Sequence, residues 1–450
     1  MAEALDAELA VPPAGQALHA ATPAYRRYVM IVLLVICALN FLDRGVINIL
    51  AEPIKKEFGL HDWQLGMLTG LYFAAFYSIL SLPLARFADR GNRAKLISVC
   101  LAVWSLFTAA CGFAQTYLQL AVCRLLVGVG EAGGSPTSQS LIADYTPKEK
   151  RASAIAFYTI GIPIGSLLGL ALGGLVLDRF GWRTAFIVAG LPGLAIALLT
   201  AVTLKEPRNI APVSAPAPAP PLREALAEIF SKRSFVLMTL GGSMVSFTNY
   251  AQGAWLPSYF FRNHSAELAT LAHGVGPHLG PAGFLGPTLG LVSGFGGIVG
   301  TLGGGWLTDW AAKRSYGAYV TVQVVFAGLR LPLFALAMLA PTVPLTLLAL
   351  GAQSLCTGMA GAPAYAAIQG LVQPRVRATA AAIFMLGLNL IGLGFGPVTA
   401  GAISDLLIAQ GQTDGVALKW AMLIVTEVAL FIGITLIASS RRSLDADTVS

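Results

Sequence analysis

Long apolar runs, each broken by a short polar or glycine-rich stretch, recur along the whole chain. A helix needs about 20 apolar residues to cross the hydrocarbon core of a bilayer, where every backbone N–H and C=O must be satisfied inside the segment. The runs predict helices over 29–50, 62–85, 95–115, 118–143, 152–177 and 183–204, and again over 234–261, 285–311, 317–339, 343–371, 377–407 and 417–438. The expected fold class is therefore an all-α membrane protein, with twelve transmembrane helices in two six-helix bundles.

Composition agrees. Hydrophobic residues make up 56% of the 450 and charged residues only 11%, with a mean hydropathy of +0.72, which is too much apolar surface for water-soluble domains to hide. Charge then orients the bundle. One set of loops collects Arg26, Arg27, Arg86, Arg90, Arg93, Lys95, Lys150, Arg151, Lys205, Lys232, Arg233, Lys313, Arg441 and Arg442, whereas the other keeps Lys55, Lys56, Arg179, Arg183, Arg262 and Lys419. By the positive-inside rule the first set is cytoplasmic, so both termini are expected inside a bacterial inner membrane. The net charge of +7 reports topology and anionic lipid rather than nucleic acid.

Residues 1–25 read as a disordered cytoplasmic tail and 441–450 as a second one. The proline-rich linker at 205–232 divides an N-terminal bundle (26–204) from a C-terminal one (233–440). Within it, 222–230 is either a short helix on the inner membrane surface or plain linker. The halves echo one another: Ala85-x-x-x-Asp89 returns as Gly305-x-x-x-Asp309, and Gly174-x-x-x-Asp178 as Gly401-x-x-x-Asp405, at offsets of 220 and 227 residues. Repeated bundles place a substrate site between them near the midplane, exposed to alternate sides as one half rocks against the other. Gly161, Gly165, Gly169 and Gly173, four residues apart, predict a ridge for close helix packing.

Asp89-Arg90-Gly91-Asn92-Arg93 resembles the signature loop of the major facilitator superfamily, with Ala85 and Asn92 at its two glycine positions. Leu120-x-x-x-Arg124-x-x-x-Gly128-x-Gly130-x-Ala132 resembles the arginine-bearing fourth-helix motif of that superfamily. Phe41-Leu42-Asp43-Arg44 together with Gly128-Val129-Gly130-Glu131-Ala132 resembles its Spinster branch, whose animal members move sphingosine-1-phosphate or lysophospholipids. The resemblance implies two pseudo-symmetric six-helix bundles and an amphiphilic anionic or zwitterionic lipid substrate. It also implies a cytoplasmic gate in which Asp89, Arg90 and Arg93, echoed by Asp309, latch the inner side.

Ionisable groups inside spans are costly and usually functional. Counted at 1.5 Å per residue, Asp43 and Glu131 lie about 20 Å from the inner surface, with Arg124 about two turns further out, so that they and Arg44 can meet. The bland alternative is a pair of ion pairs that only joins helix 1 to helix 4. The functional expectation gives Arg44 and Arg124 to the anionic head, and Asp43 and Glu131 to proton coupling, since the five histidines fall outside the spans. Substrate anion and carboxylate would compete for the same arginines, which links one to the other. Asn249, Gln252, Trp255, Tyr365 and Asn389 are further candidate cavity residues, and Arg330 with Glu427 is an expected structural ion pair in the second half.

The expected partners are the amphiphile, protons and membrane lipid, with a monomer as the unit. No nucleotide loop, metal-ligand spacing or activated nucleophile occurs, so neither an enzyme nor a cofactor or metal site is expected, and the five cysteines read as packing residues. A proton-coupled symporter of a soluble organic anion such as a sugar acid remains the nearest alternative, and a non-transporting sensor on the same fold is one of another class.

Overall fold

The structure is a computed structural model, which describes residues 22–147, 150–207, 222–313, 317–373 and 376–447. Every regular element among them is helical. Of the expected tail at 1–25, residues 1–21 lie outside the described residues, as does the proline run at 208–221, while 23–25 already belong to the first helix and 441–447 of the other expected tail continue the last one.

The first crossing is α1 (Pro23–Phe58), which starts six residues before the hydrophobic run suggests, because Thr22 caps it through Tyr25 N and Pro23 suits its first turn. It stops at Gly59, whose φ of 61° a side chain would resist. The second crossing is α2 (Asp62–Gly66), a π-helical turn (Met67–Leu71) and α3 (Tyr72–Arg90). The third is α4 (Arg93–Cys111), and the fourth is α5 (Tyr117–Glu131) with α6 (Gly134–Tyr145). The fifth and sixth are α7 (Arg151–Thr159) and α8 (Gly161–Thr203), where α8 turns back at Gly181 with φ 80°.

After the short α9 (Leu222–Ser231), the second half repeats the plan. Its crossings are α10 (Arg233–Asn263), then past an extra helix α11 (Ser265–Val275), α12 (Pro281–Ala312), α13 (Ala318–Leu339) and α14 (Val343–Gly370). The eleventh is α15 (Arg377–Gly387), a π-helical segment (Leu388–Phe395) and α16 (Gly396–Ala409), and the twelfth is α17 (Asp414–Asp447). Nine stretches of the described residues are long and apolar enough to span on composition alone. Twelve crossings result because Gly181 divides one of these stretches, while the broken fourth crossing and the Ser-, Thr- and Asn-bearing α10 fall outside the nine.

The glycine ridge does what its spacing predicts. Gly165 and Gly169 seat directly on the Ala38 and Leu42 carbonyls of α1, and a methyl added at Gly173 would lie 2.6 Å from Ile49. That contact fixes the face of α1 which presents Asp43 and Arg44.

The halves touch closely at one end and diverge toward the other, the arginine-rich end, here called inner from its charge. Along the α8–α12 seam, Gly174 meets the Ala282 carbonyl and Gly286 meets the Leu170 carbonyl at the outer end. Further in, a methyl at Gly290 would sit 2.6 Å from Leu167, and one at Gly294 is already 3.8 Å from Pro163. The interface therefore opens inward.

Helix α9 forms, and part of its apolar side is covered by protein while Phe230 stays exposed. Ala225 and Ile229 are buried with Phe235, Leu371, Val372 and Val376, while Glu228 accepts from Gln373 N at 3.3 Å. Docking on protein hides those two side chains from water without a membrane, which makes α9 part of the second half.

Candidate functional site

Two turns from the middle of α1 and the end of α5 build the centre. Arg44 donates to Glu131 Oε2 from Nη2 at 2.8 Å and from Nε at 2.9 Å. Its guanidinium lies 5.0, 4.7 and 4.8 Å from the ring centroids of Phe41, Phe73 and Tyr77, and Tyr250 of the second half adjoins it. Aromatic faces stabilise a desolvated guanidinium without using its donors. Arg44 keeps 13% of its side chain exposed, whereas Glu131 has none.

Asp43 is buried and accepts from Thr108 Oγ1 at 3.0 Å. Arg124, 1% exposed, donates from Nε to the Leu68 carbonyl in the π-helical turn at 3.4 Å and shares the Phe73 ring at 5.6 Å. Its Nη1 and Glu131 Oε1 have no hydrogen-bond partner among the described residues. The four charged groups expected to meet do so: Arg44 takes Glu131, while Asp43 and Arg124 are held by a hydroxyl and a carbonyl. A centre with spare donors on Arg124 and a spare carboxylate oxygen can take up an anion and a proton.

The second-half candidates separate. Asn249 is exposed and accepts from Arg330 Nη2 at 2.6 Å. Gln252 pairs with Gln353 at 2.9 Å, leaving its Nε2 without a partner among the described residues. Asn389 is half-buried within the π-helical segment. Trp255 is 1% exposed and donates to the Pro397 carbonyl at 2.8 Å, so it ties α10 to α16 rather than lining a cavity. The Tyr365 side chain lies outside the described residues. The expected direct pair of Arg330 and Glu427 is not formed: Arg330 turns to Asn249, and Glu427 lines a groove of about 350 Å³ with Leu331, Val428 and Phe431.

The inner latch also needs correction at one residue. Arg93 is 1% exposed and binds Asp144 at 2.6 Å and Glu206 at 2.5 Å, with Ser140 Oγ at 3.0 Å. All of these belong to the first half, so Arg93 fastens the fourth crossing and the start of the linker instead of bridging the bundles. Asp309 is exposed, and the side chains of Asp89 and Arg90 lie outside the described residues.

A set of residues that look like plain topology markers along the chain closes the outer end. Arg262 of α10, 5% exposed, binds both oxygens of Asp62 at 2.8 and 2.7 Å and both oxygens of Glu52 at 3.0 Å. Asp62 also meets Lys55 at 2.7 Å and Ser404 Oγ at 2.7 Å. On either side stand the repeated aspartates. Asp405 accepts from Asp62 N and Trp63 N at 2.9 and 2.8 Å, and Asp178 accepts from Ala282 N and Gly283 N at 3.3 and 2.6 Å. Each caps the first turn of a helix in the opposite half, where free N–H groups and the helix dipole favour a carboxylate. The sequence signal was present in the repeat; only the partner was hidden.

With two repeated bundles and this centre in view, comparison with known proteins decides the family. Residues 33–333 match the Major Facilitator Superfamily. The chain belongs to it. Among its relatives, an "MFS-type efflux pump" of Mycolicibacterium smegmatis is 30% identical over 402 residues, 89% of each chain. A "Probable L-galactonate transporter" of Escherichia coli is 25% identical over 89% of this chain and 88% of its own. "Sphingosine-1-phosphate transporter SPNS2" of Danio rerio is 30% identical over 246 residues, 52% of this chain and 48% of the relative. A solved bacterial homologue of the human lysosomal transporter Spinster, inward-facing and unoccupied, superposes with a TM-score of 0.80 at 28% identity, covering 96% of this chain and all of the other. This superfamily member is thus a membrane transporter related to Spinster, and not an enzyme.

Proposed function

We propose that the chain is a secondary active transporter moving an amphiphilic anionic or zwitterionic lipid, of the lysophospholipid or sphingosine-phosphate kind, by alternating access with proton coupling. The observation that carries the reading is the Arg44–Glu131 pair inside an aromatic cage of Phe41, Phe73 and Tyr77, beside Arg124 with a spare donor. Guanidinium groups suit a phosphate, and aromatic walls suit the first methylenes beyond it.

When an anionic head claims Arg44, the buried Glu131 loses its counter-charge and takes up a proton; when the head leaves, the ion pair re-forms. Asp43, held by Thr108, is the second proton-carrying group. The outer end closed by Arg262 and the halves parting inward correspond to a state open to the cytoplasm, with both termini on that side.

The second reading, symport of a soluble sugar acid, is favoured by the likeness to the galactonate transporter over most of the chain. Flux into proteoliposomes decides between them. Lysophosphatidylglycerol should move faster under an imposed pH gradient and hexonates should not; hexonate flux alone would favour the sugar-acid reading, and flux of neither would end both.

A further inference from the structure

Arg330 stands midway along α13 and is fully buried. One of its nitrogens is engaged, Nη2 with Asn249 Oδ1 at 2.6 Å. Nε and Nη1 have no partner among the described residues. Glu427, the nearest acid, forms no ion pair with it, leaves its own Oε1 without a partner among the described residues, and lines a groove beside the exposed side chains of Val428 and Phe431. An arginine left with two unpartnered nitrogens in a low-dielectric interior is costly, and native proteins keep such groups where a partner arrives during the working cycle.

Its link to the centre is Asn249. Asn249 is exposed, and the next residue, Tyr250, adjoins Arg44 of the other half, so this face of α10 fronts the space between the bundles. One turn further out, Gln252 adds an unpartnered Nε2. Glu427 Oε1 apart, the spare groups around Asn249 are donors, two nitrogens of Arg330 and one of Gln252, which selects a ligand rich in acceptors.

We propose that Arg330, oriented by Asn249, is the second half's binding group for an acceptor-rich head, a phosphate or carboxylate, which it grips opposite Arg44 and Arg124. A head held by arginines of both bundles pulls the halves together, because its second set of bonds forms only as the interface closes on it. The inference rests on the transport reading above and is indifferent to whether the carboxylate or phosphate carries an acyl tail.

The test uses the full chain in proteoliposomes with two probes, lysophosphatidylglycerol and a hexonate, and follows initial flux against concentration. Loss of a charge-assisted bond pair should raise KM in Arg330→Gln by about 10- to 100-fold for whichever probe moves, with a smaller change in kcat. Arg330→Lys should recover part of the affinity, and Glu427→Gln should leave KM unchanged. The ligand-free melting temperature of Arg330→Gln should equal or exceed that of wild type, since an unpaired buried charge has been removed. An unchanged KM overturns the proposal, and so does a lowered ligand-free melting temperature, which marks a structural arginine. If wild type moves neither probe, the transport reading fails by itself, and the melting temperature alone then sustains or overturns the role of Arg330.

Discussion

Replacing Arg262 by alanine should release the outer end. In the closed arrangement its guanidinium makes four charge-assisted contacts of 2.7–3.0 Å, two to Asp62 and two to Glu52, with 5% of its side chain exposed. Removing one member of a buried ion cluster costs about 3–5 kcal/mol, mostly because the remaining charges stay buried without a partner. Two features pull the figure to the low end. Lys55 still holds Asp62 at 2.7 Å, and opening lets water reach both carboxylates. About 3 kcal/mol is a shift of roughly 100-fold toward the outer-open state. Spin labels at Lys56 on α1 and Gln410 beyond α16, both exposed, would report it as a longer component in the distance distribution, in a background with the native cysteines replaced. Arg262→Lys, which keeps the charge but loses the planar fork, should fall between the two. An Arg262→Ala distribution superimposable on wild type would refute the reasoning and leave closure to the Asp178 and Asp405 caps and the glycine seam.

Glu131→Gln should abolish the response of flux to a pH gradient while substrate is still bound, and flux that still follows the gradient would make Glu131 a structural partner of Arg44. Arg93→Gln should lower thermal stability by about 3 kcal/mol or more, since Glu206 stays buried, without altering the Lys56–Gln410 distance; a changed distance would restore Arg93 to a gating role. Gly165→Val should prevent correct packing of α1 on α8, because its carbonyl neighbour Ala38 leaves no room, and a folded, monodisperse Gly165→Val protein by size exclusion would contradict this.

The apolar runs declared the crossings, because in lipid a helix must satisfy its own backbone within one segment, while the proline-rich linker with the repeated aspartates marked the halves and glycine spacing marked the ridge. The cost of burying charge likewise singles out Asp43, Arg44, Arg124 and Glu131 from the chain alone. Pairing was decided elsewhere. Which arginine takes which carboxylate depends on side chains brought together from α1 and α5, and a one-dimensional depth count places Arg44 equally near Asp43 and Glu131. The same limit hid the outer closure: Glu52, Asp62 and Arg262 lie up to 210 residues apart, and at the ends of spans they look like topology markers. Arg330 and Glu427 matched in depth but not in direction, since depth fixes height along a helix and only packing fixes the face. The repeated aspartates Asp178 and Asp405 show the division most clearly, for the sequence supplied their symmetry and the docking of two bundles supplied the helix N-termini that they cap.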